Sequence, residues 1–331
     1  MKHAVRSITI EKQNWPLEKE FRIARGARTQ TEVIVVSIVE GQLQGRGESV
    51  PTARYGESMQ SVIDQIRSIE IEIAQGMSIE DLNQMLPAGA ARNAVDCALW
   101  DLKAKQQKKS VAAMANLKEF SGCETAQTLS IGSVKEMANA AALLKEYPLI
   151  KIKFDCQQVI EKMHAISKAA PNSRFIIDAN EAWNIKQLNT FSETFAQCNV
   201  ALIEQPLTEK TDTDLINYQG TIPLCADESI HTRKEFERVS KLYQYINIKL
   251  DKTGGFSEAH KLLKAANEKN IGIMVGCMVA TSLAMAPAAL LASYADFVDL
   301  DGPALLLKDR KQGFGYHKGI MHVAASNLWG Y

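Results

Sequence analysis

Six short apolar stretches of this chain end in ionisable side chains: "LIKIKF" in Lys151 and Lys153, "RFIIDAN" in Asp178, "ALIEQP" in Glu204, "PLCADES" in Asp227, "YINIKLD" in Lys249, and "FVDLDGP" in Asp299 and Asp301. Asp178, Glu204 and Asp227 fall on consecutive stretches. Brought together, they would offer three hard oxygen donors, a set that suits Mg2+ and leaves it room for water or substrate. No histidine or cysteine joins them, which argues against zinc. Without a metal, three such carboxylates would repel and raise one another's pKa. The plainer alternative is that each acid pairs with its own lysine or caps a helix. Matching positions on three successive strands favour the joint reading.

Lys151 and Lys153 sit two residues apart inside an apolar strand, so their ammonium groups share a face. A second cation beside Lys153 lowers its pKa and leaves more neutral amine to act as a base. Lys151 could also neutralise a carboxylate oxygen of a substrate. The plainer alternative is an edge strand with solvated lysines. Lys249 comes from the strand beyond the carboxylates, which places the acids between two lysine sites. A metal so flanked suits removal of a proton α to a carboxylate. The metal stabilises the enediolate. One lysine takes the proton, and the other returns one from the opposite face.

Such convergence needs a scaffold. From about residue 125, eight apolar stretches alternate with helical segments: the six above, "TLSIG" and "IGIMVG". The markers Lys153, Asp178, Glu204, Asp227, Lys249, Gly276 and Asp299 are spaced by 25, 26, 23, 22, 27 and 23 residues. That is the βα repeat of a parallel barrel, whose mouth is built from the C-terminal ends of its strands. The first part of the chain reads as α+β, with strands over 4–13, 31–41 and 41–50 and helices over 57–75, 79–86 and 89–107. The small-residue stretch 278–295, interrupted by Pro287, reads as a buried barrel helix rather than a membrane span.

The bulk numbers exclude some partners. Thirty-eight basic and thirty-eight acidic residues cancel, so the chain offers no net field for nucleic acid or an anionic membrane. No apolar signal segment opens the sequence. The six cysteines lie too far apart for CxxC motifs, and the expectation is reduced thiols in a cytoplasmic protein.

"KIK", "DANEAW", "EQP", "ADES", "NIKLDKTGG" and "DLDGP", in this order and spacing, resemble the enolase superfamily, muconate-lactonising-enzyme subgroup. More closely they resemble its dipeptide epimerases, in particular those acting on L-Ala-D/L-Glu. The likeness extends to "IARGARTQ", "RYGES" and "LPAGAARNAVDCALWDL". It implies an α/β fold, a (β/α)7β TIM-like barrel with an α+β capping domain. The boundaries expected are 1–124 for the N-terminal part of the cap, 125–305 for the barrel, and 306–331 for a segment returning to the cap. It implies Lys153 and Lys249 as the acid/base pair, Lys151 as their assistant, and Asp178, Glu204 and Asp227 as ligands of one Mg2+ per subunit. Asp299 and Asp301 would bind the free ammonium of a dipeptide, a role two carboxylates on one face suit. Arg25 would clamp the side-chain carboxylate of glutamate, with Arg22 and Arg28 close by. Segments 15–30 and 49–58 are expected as loops closing over the barrel, with Gly26 and Gly56 as flexible points. The function implied is inversion at the glutamate α-carbon of L-Ala-D/L-Glu, in salvage of cell-wall peptides. Alternatives are an epimerase of another dipeptide, an N-acylamino-acid racemase, an o-succinylbenzoate synthase or cycloisomerase, and a non-catalytic metal-binding barrel. Neither a nucleic-acid nor a membrane partner is expected, and a homo-oligomer is left open.

Overall fold

The computed structural model describes residues 5–324 and 328–330. The chain opens with an antiparallel sheet of β1 (Ser7–Ile23), β2 (Gly26–Glu40) and β3 (Leu43–Ser49). The expected loop 15–30 is a long β-hairpin instead. Residues Ala24 and Arg25 make a two-residue turn, and Ile23 pairs with Gly26. A register shift between Pro16 and Phe21 bends the hairpin on the way. Trp15, Leu17, Phe21 and Ile23 alternate along its first strand and pack on Val279 and Leu306 at the barrel mouth rather than on the sheet's own core. Of the second expected loop, Ala53–Tyr55 form a 3-10 turn, closed by Gly56 at φ 75°.

One face of this sheet carries Ile34, Val36 and Ile38, which pack on a helical layer. The expected helix 57–75 is broken at Ser68 and Ile69 into Met59–Arg67 and Glu70–Ala74. Helix Ala90–Gln107 lies closest to the sheet. A Cβ at Gly47 would fall 2.1 Å from Ala94 O, and one at Gly45 would fall 2.1 Å from Ala98 O. Glycine on the strand and alanine on the helix therefore let two backbones nearly touch, which accounts for the helix's small-residue face.

β4 (Cys123–Glu124) leads into the barrel strands β5 (Gln127–Leu129), β6 (Leu149–Lys153), β7 (Arg174–Asp178), β8 (Val200–Glu204), β9 (Leu224–Ala226), β10 (Tyr245–Ile248), β11 (Gly272–Gly276) and β12 (Phe297–Asp299). They form one eight-stranded sheet in chain order, parallel throughout. Ala126 N donates to Val298 O at 2.8 Å and Leu300 N to Thr125 Oγ1 at 3.0 Å, drawing the two edges together. All eight strands lie on the stretches read from the sequence. Pro287 lies inside a buried helix, Ser282–Ala292, and no helix among the described residues is long and apolar enough to cross a membrane.

Strand period 2 sorts the side chains. Ile150 and Ile152 point outward, into the core between strands and helices. Leu149, Ile176, Leu202, Cys225, Met274 and Phe297 point inward and pack together as an apolar plug. Two residues further along the same inward faces stand Lys151, Asp178, Glu204, Asp227, Gly276 and Asp299, all in the upper layer. A lysine pair inside an apolar strand is thus the polar upper storey of a lumen whose lower storey is dry.

The cap is pinned to the barrel by buried polar contacts. Asp251 Oδ1 accepts from Val50 N at 3.0 Å and Asn93 Nδ2 at 2.8 Å. Arg92 donates to Gly254 O and Thr253 O. After the barrel, β13 (Gly315–His317) and β14 (Ile320–His322) form a small sheet with β4. Trp329 Nε1 donates to Cys97 O at 3.0 Å, and Arg310 reaches Glu48 at 2.7 Å.

Candidate active site

The C-terminal ends of the strands open into a cavity of about 660 Å3 under the β1–β2 hairpin and the Val50–Tyr55 segment. Lys151, Lys153, Asp227, Lys249, Asp299 and Asp301 line it, and so do Arg25, Arg28 and Arg54 from the cap. Asp178 and Glu204 lie beneath them, fully buried. Every site residue expected from the sequence therefore stands at this mouth or just below it.

The acids and lysines interleave. Lys151 Nζ lies 2.6 Å from Glu204 Oε2, 2.7 Å from Asp299 Oδ2 and 3.2 Å from Asp178 Oδ2. Lys153 Nζ donates to Asp178 Oδ2 at 2.5 Å. Lys249 Nζ donates to Asp227 Oδ2 at 2.6 Å and lies 3.7 Å from Glu204. Lys153 is on β6, and Lys249 directly follows β10. Four steps round an eight-stranded barrel is half a turn, so the two amines approach from opposite walls with β7, β8 and β9 between them.

The charges leave their mark on one another. Burial alone would lower the Lys151 ammonium, but Asp299, Glu204 and Asp178 outweigh it and hold the group well above its usual range. Lys249 is likewise raised, by Asp227 and then Glu204, against the effect of burial. Asp178 is held low because Lys153 and Lys151 overcome its burial. Asp227 is low for the same reason, through Lys249 and Lys252. Glu204 is pushed up to about 7 by burial and by Asp178. Asp301 is pushed up to about 7 by burial and by Asp299.

Among the described residues, no three acidic, histidine or cysteine side chains are gathered as a ready cation cage. Asp178, Glu204 and Asp299 share the Lys151 ammonium instead. The donor set nevertheless fits a small hard cation. Asp178 and Glu204 are register neighbours on β7 and β8, and Asp227 follows β9 on the same side. Glu204 Oε2 and Asp227 Oδ1 are buried without a hydrogen bond, although an ammonium lies 2.6 Å from each. Within the barrel mouth, Asp178, Glu204, Asp227, Glu228, Asp299 and Asp301 face Lys151, Lys153, Lys249 and Lys252, with Arg25 paired to Glu228.

Asp299 and Asp301 differ. Asp301 Oδ2 accepts from Thr128 N at 2.6 Å. It stands at the head of the short helix Gly302–Leu305 but makes no side-chain cap there. Asp299 Oδ1 is a buried acceptor with no partner. Arg25 is already occupied: it donates to Glu228 Oε1 at 2.8 Å, Asn180 O at 3.0 Å and Glu181 Oε2 at 3.3 Å. Arg22 turns outward to Glu20.

Several site residues escaped the sequence reading. Lys252 is buried against Asp227, donating to Asp227 O at 2.5 Å and to Asn247 O at 3.0 Å. Its i+3 spacing from Lys249 was the available signal. Asn247 Nδ2 holds Glu204 Oε1 at 2.7 Å. Gly276 leaves space for both Asn247 and Lys249: a Cβ there would lie 2.6 Å from Asn247 Oδ1 and 3.0 Å from Lys249 Cε. Asn180, Glu181 and Gln205 adopt positive φ just past β7 and β8, strain of the kind that collects at functional sites.

A parallel eight-stranded barrel with lysines on opposite walls of an acid-rich mouth, roofed by an α+β cap, is the architecture of an enolase-type enzyme. The family described as "Enolase C-terminal domain-like" matches residues 133–325, and "Mandelate racemase / muconate lactonizing enzyme, N-terminal domain" matches residues 5–115. The chain is 48% identical over 300 residues to an N-acetyl-D-glutamate racemase of Pseudoalteromonas sp, covering 90% of this chain and 95% of that protein. It is 41% identical over 321 residues to an L-Ala-D/L-Glu epimerase of Escherichia coli K12, covering 96% and 100%. A crystal structure of an enolase family member from Agrobacterium tumefaciens with homology to dipeptide epimerases, bound to sodium and L-Ala-L-Glu with an ordered loop, matches with a TM-score of 0.96 at 40% identity. That match covers 98% of this chain and 100% of the other. The chain belongs to the enolase superfamily, in its mandelate racemase and muconate-lactonising branch, and within it to the dipeptide epimerase family. It is an isomerase.

Proposed function

We propose that the protein is an Mg2+-dependent epimerase that interconverts L-Ala-D-Glu and L-Ala-L-Glu at the glutamate α-carbon by proton transfer between two lysines. The carrying observation is that Lys153 and Lys249 approach from opposite walls across Asp178, Glu204 and Asp227. One Mg2+ per subunit, held by those three acids, would supply positive charge against the substrate carboxylate as its α-proton leaves.

The chain's own residues do the rest. A neutral amine at one wall accepts the α-proton on Nζ, and the ammonium at the other wall donates one to the opposite face of the same carbon. Lys249 is held cationic by Asp227, so it becomes a base only once that carboxylate is drawn elsewhere. Lys151, buried among three acids, stays charged and assists as a fixed cation. Asp299 offers an unpartnered oxygen to the dipeptide's ammonium, with Asp301 beside it. The hairpin arginines meet the glutamate side chain, Arg25 being the sequence's candidate. The hairpin and the 3-10 turn roof the cavity and limit the access of water to it. The physiological setting is salvage of cell-wall peptides in the cytoplasm.

A second reading is racemisation of N-acetylglutamate, favoured by the relative of that name. It uses the same lysines, since both substrates are N-acylated glutamates. The free ammonium separates them, and the buried, unpartnered Asp299 Oδ1 favours the dipeptide. The test is deuterium exchange at the glutamate α-carbon in D2O with Mg2+, followed by NMR, for L-Ala-L-Glu and for N-acetyl-L-glutamate. Exchange confined to N-acetylglutamate would transfer the assignment to the racemase; exchange in neither, nor in a wider dipeptide panel, would remove both.

A further inference from the structure

Asp178, Glu204 and Asp227 hang from three different strand ends, and one uncharged residue is bonded to all three segments. Gln205 directly follows Glu204 at the end of β8 and is fully buried. Its backbone N donates to Cys225 O of β9 at 2.8 Å, and its carbonyl accepts from Glu181 N, just past Asp178, at 2.9 Å. The side chain reaches further. Oε1 accepts from Asp227 N at 2.8 Å and from Ser229 N at 3.1 Å. Nε2 donates to Leu207 O at 2.8 Å and lies 2.8 Å from Ser229 Oγ and 3.0 Å from Tyr243 OH.

These partners leave the amide one orientation. The backbone N–H groups only donate and the Leu207 carbonyl only accepts, so the oxygen must face Asp227 and the nitrogen Leu207. An apolar side chain would strand two buried N–H groups. The far partners are held in their turn. Tyr243, just before β10, is buried, and Arg238 donates to Ser229 O at 3.2 Å while pairing with Asp212 at 2.7 Å. Gln205 also takes φ 35°, a conformation that L side chains seldom adopt and that surrounding contacts must sustain.

The strand ladder shows why such a residue is needed. Pairing between β8 and β9 ends at Glu204 and Cys225, two residues short of Asp227. Beyond that point the Asp227 carboxylate is held by Lys249 and Lys252, whose long stems do not fix a backbone. The Gln205 amide supplies the hydrogen bonds that the ladder lacks.

We infer that Gln205 is the positioning residue of the acid cluster: it fixes the Asp227 backbone against that of Glu204 and so sets the spacing at which the three acids receive a cation. This rests on the reading of those acids as Mg2+ ligands. Gln205 lies beneath the cavity and does not meet the substrate.

The test is titration calorimetry with Mg2+ alone, without substrate, on metal-stripped wild type, Gln205→Met, Gln205→Asn and Ile66→Ala, with thermal midpoints taken in chelator. Gln205→Met removes every side-chain bond and should weaken Mg2+ binding about 10–100-fold, the range for losing a partner that orients a ligand. Gln205→Asn keeps the amide one methylene short and should weaken binding less. Ile66, buried in the cap far from the mouth, is the packing control: Ile66→Ala should lower the thermal midpoint and leave Mg2+ affinity unchanged. Wild-type affinity in folded Gln205→Met, or in Gln205→Asn if the methionine variant does not fold, overturns the inference and leaves the Mg2+ reading intact. An equal loss of affinity in Ile66→Ala also overturns it, because general loosening would then account for the effect. Wild type that takes up no Mg2+ removes the metal reading and the inference with it.

Discussion

Gly276→Ala is a substitution of one methyl group with a directional consequence. The glycine lies on the inward face of β11, buried, and its φ is outside the left-handed range, so alanine fits the backbone. The added Cβ would sit 2.6 Å from Asn247 Oδ1 and 3.0 Å from Lys249 Cε, where ordinary contact needs at least 3.4 Å. Relief requires a shift of roughly half an ångström to one ångström at these side chains. A displacement of about 1 Å at a reacting group costs on the order of 100-fold in rate. Overpacking of a tight interior costs about 1–3 kcal/mol in stability. The rate penalty should fall on one wall only. Lys249 Cε needs only about half of that displacement, so in D2O exchange from the epimer whose α-hydrogen faces Lys249 should slow roughly 10-fold, while exchange from the epimer facing Lys153 changes far less. NMR started separately from L-Ala-L-Glu and L-Ala-D-Glu reads both rates. Equal slowing from the two epimers would mean that the methyl acts through Asn247 and Glu204, and the assignment of Gly276 as the space for Lys249 would fail.

Lys153→Ala and Lys249→Ala should each abolish epimerisation while leaving exchange from opposite epimers; normal turnover in either variant refutes the two-lysine scheme. Asp299→Asn should raise KM for L-Ala-L-Glu by at least about 30-fold and that for N-acetyl-L-glutamate much less, and an equal effect on both, by steady-state kinetics, would remove its role at the ammonium. Gly47→Ala should lower the thermal midpoint markedly, by calorimetry, because its methyl would meet the Ala94 carbonyl rather than a movable side chain. His231 is held neutral, its pKa lowered to about 4 by burial and then by Lys252. The fold therefore binds fewer protons there than the unfolded chain, and stability is lost as pH falls from about 6.5 towards 4; His231→Gln should flatten that part of the denaturation profile relative to wild type.

The barrel was legible because period 2 and charge act together on its strands. An inward leucine followed two residues later by an inward lysine leaves a readable trace in "LIKIKF", and the same trace recurs in "RFIID" and "ALIE". The hairpin arm over 15–30 was missed although Trp15, Leu17, Phe21 and Ile23 alternate along it, because Pro16 and the charged residues 18–20 interrupt the apolar run and its apolar partners, Val279 and Leu306, lie far away in the chain. The break at Ser68 and Ile69 was missed because the surrounding isoleucines keep helical spacing across it. Asn247 and Lys252 went unread for a different reason: their importance lies in what they touch, Glu204 and Asp227, and contact is a property of the folded chain.

The two-storey lumen separates two kinds of selection. A change among Leu149, Ile176, Leu202 or Met274 acts first on how tightly the staves of the barrel cohere, one pleat below the acids and lysines. A change one pleat higher alters chemistry while the staves remain sealed below. Side chains of the upper storey can therefore be exchanged for others while the apolar plug below continues to close the barrel.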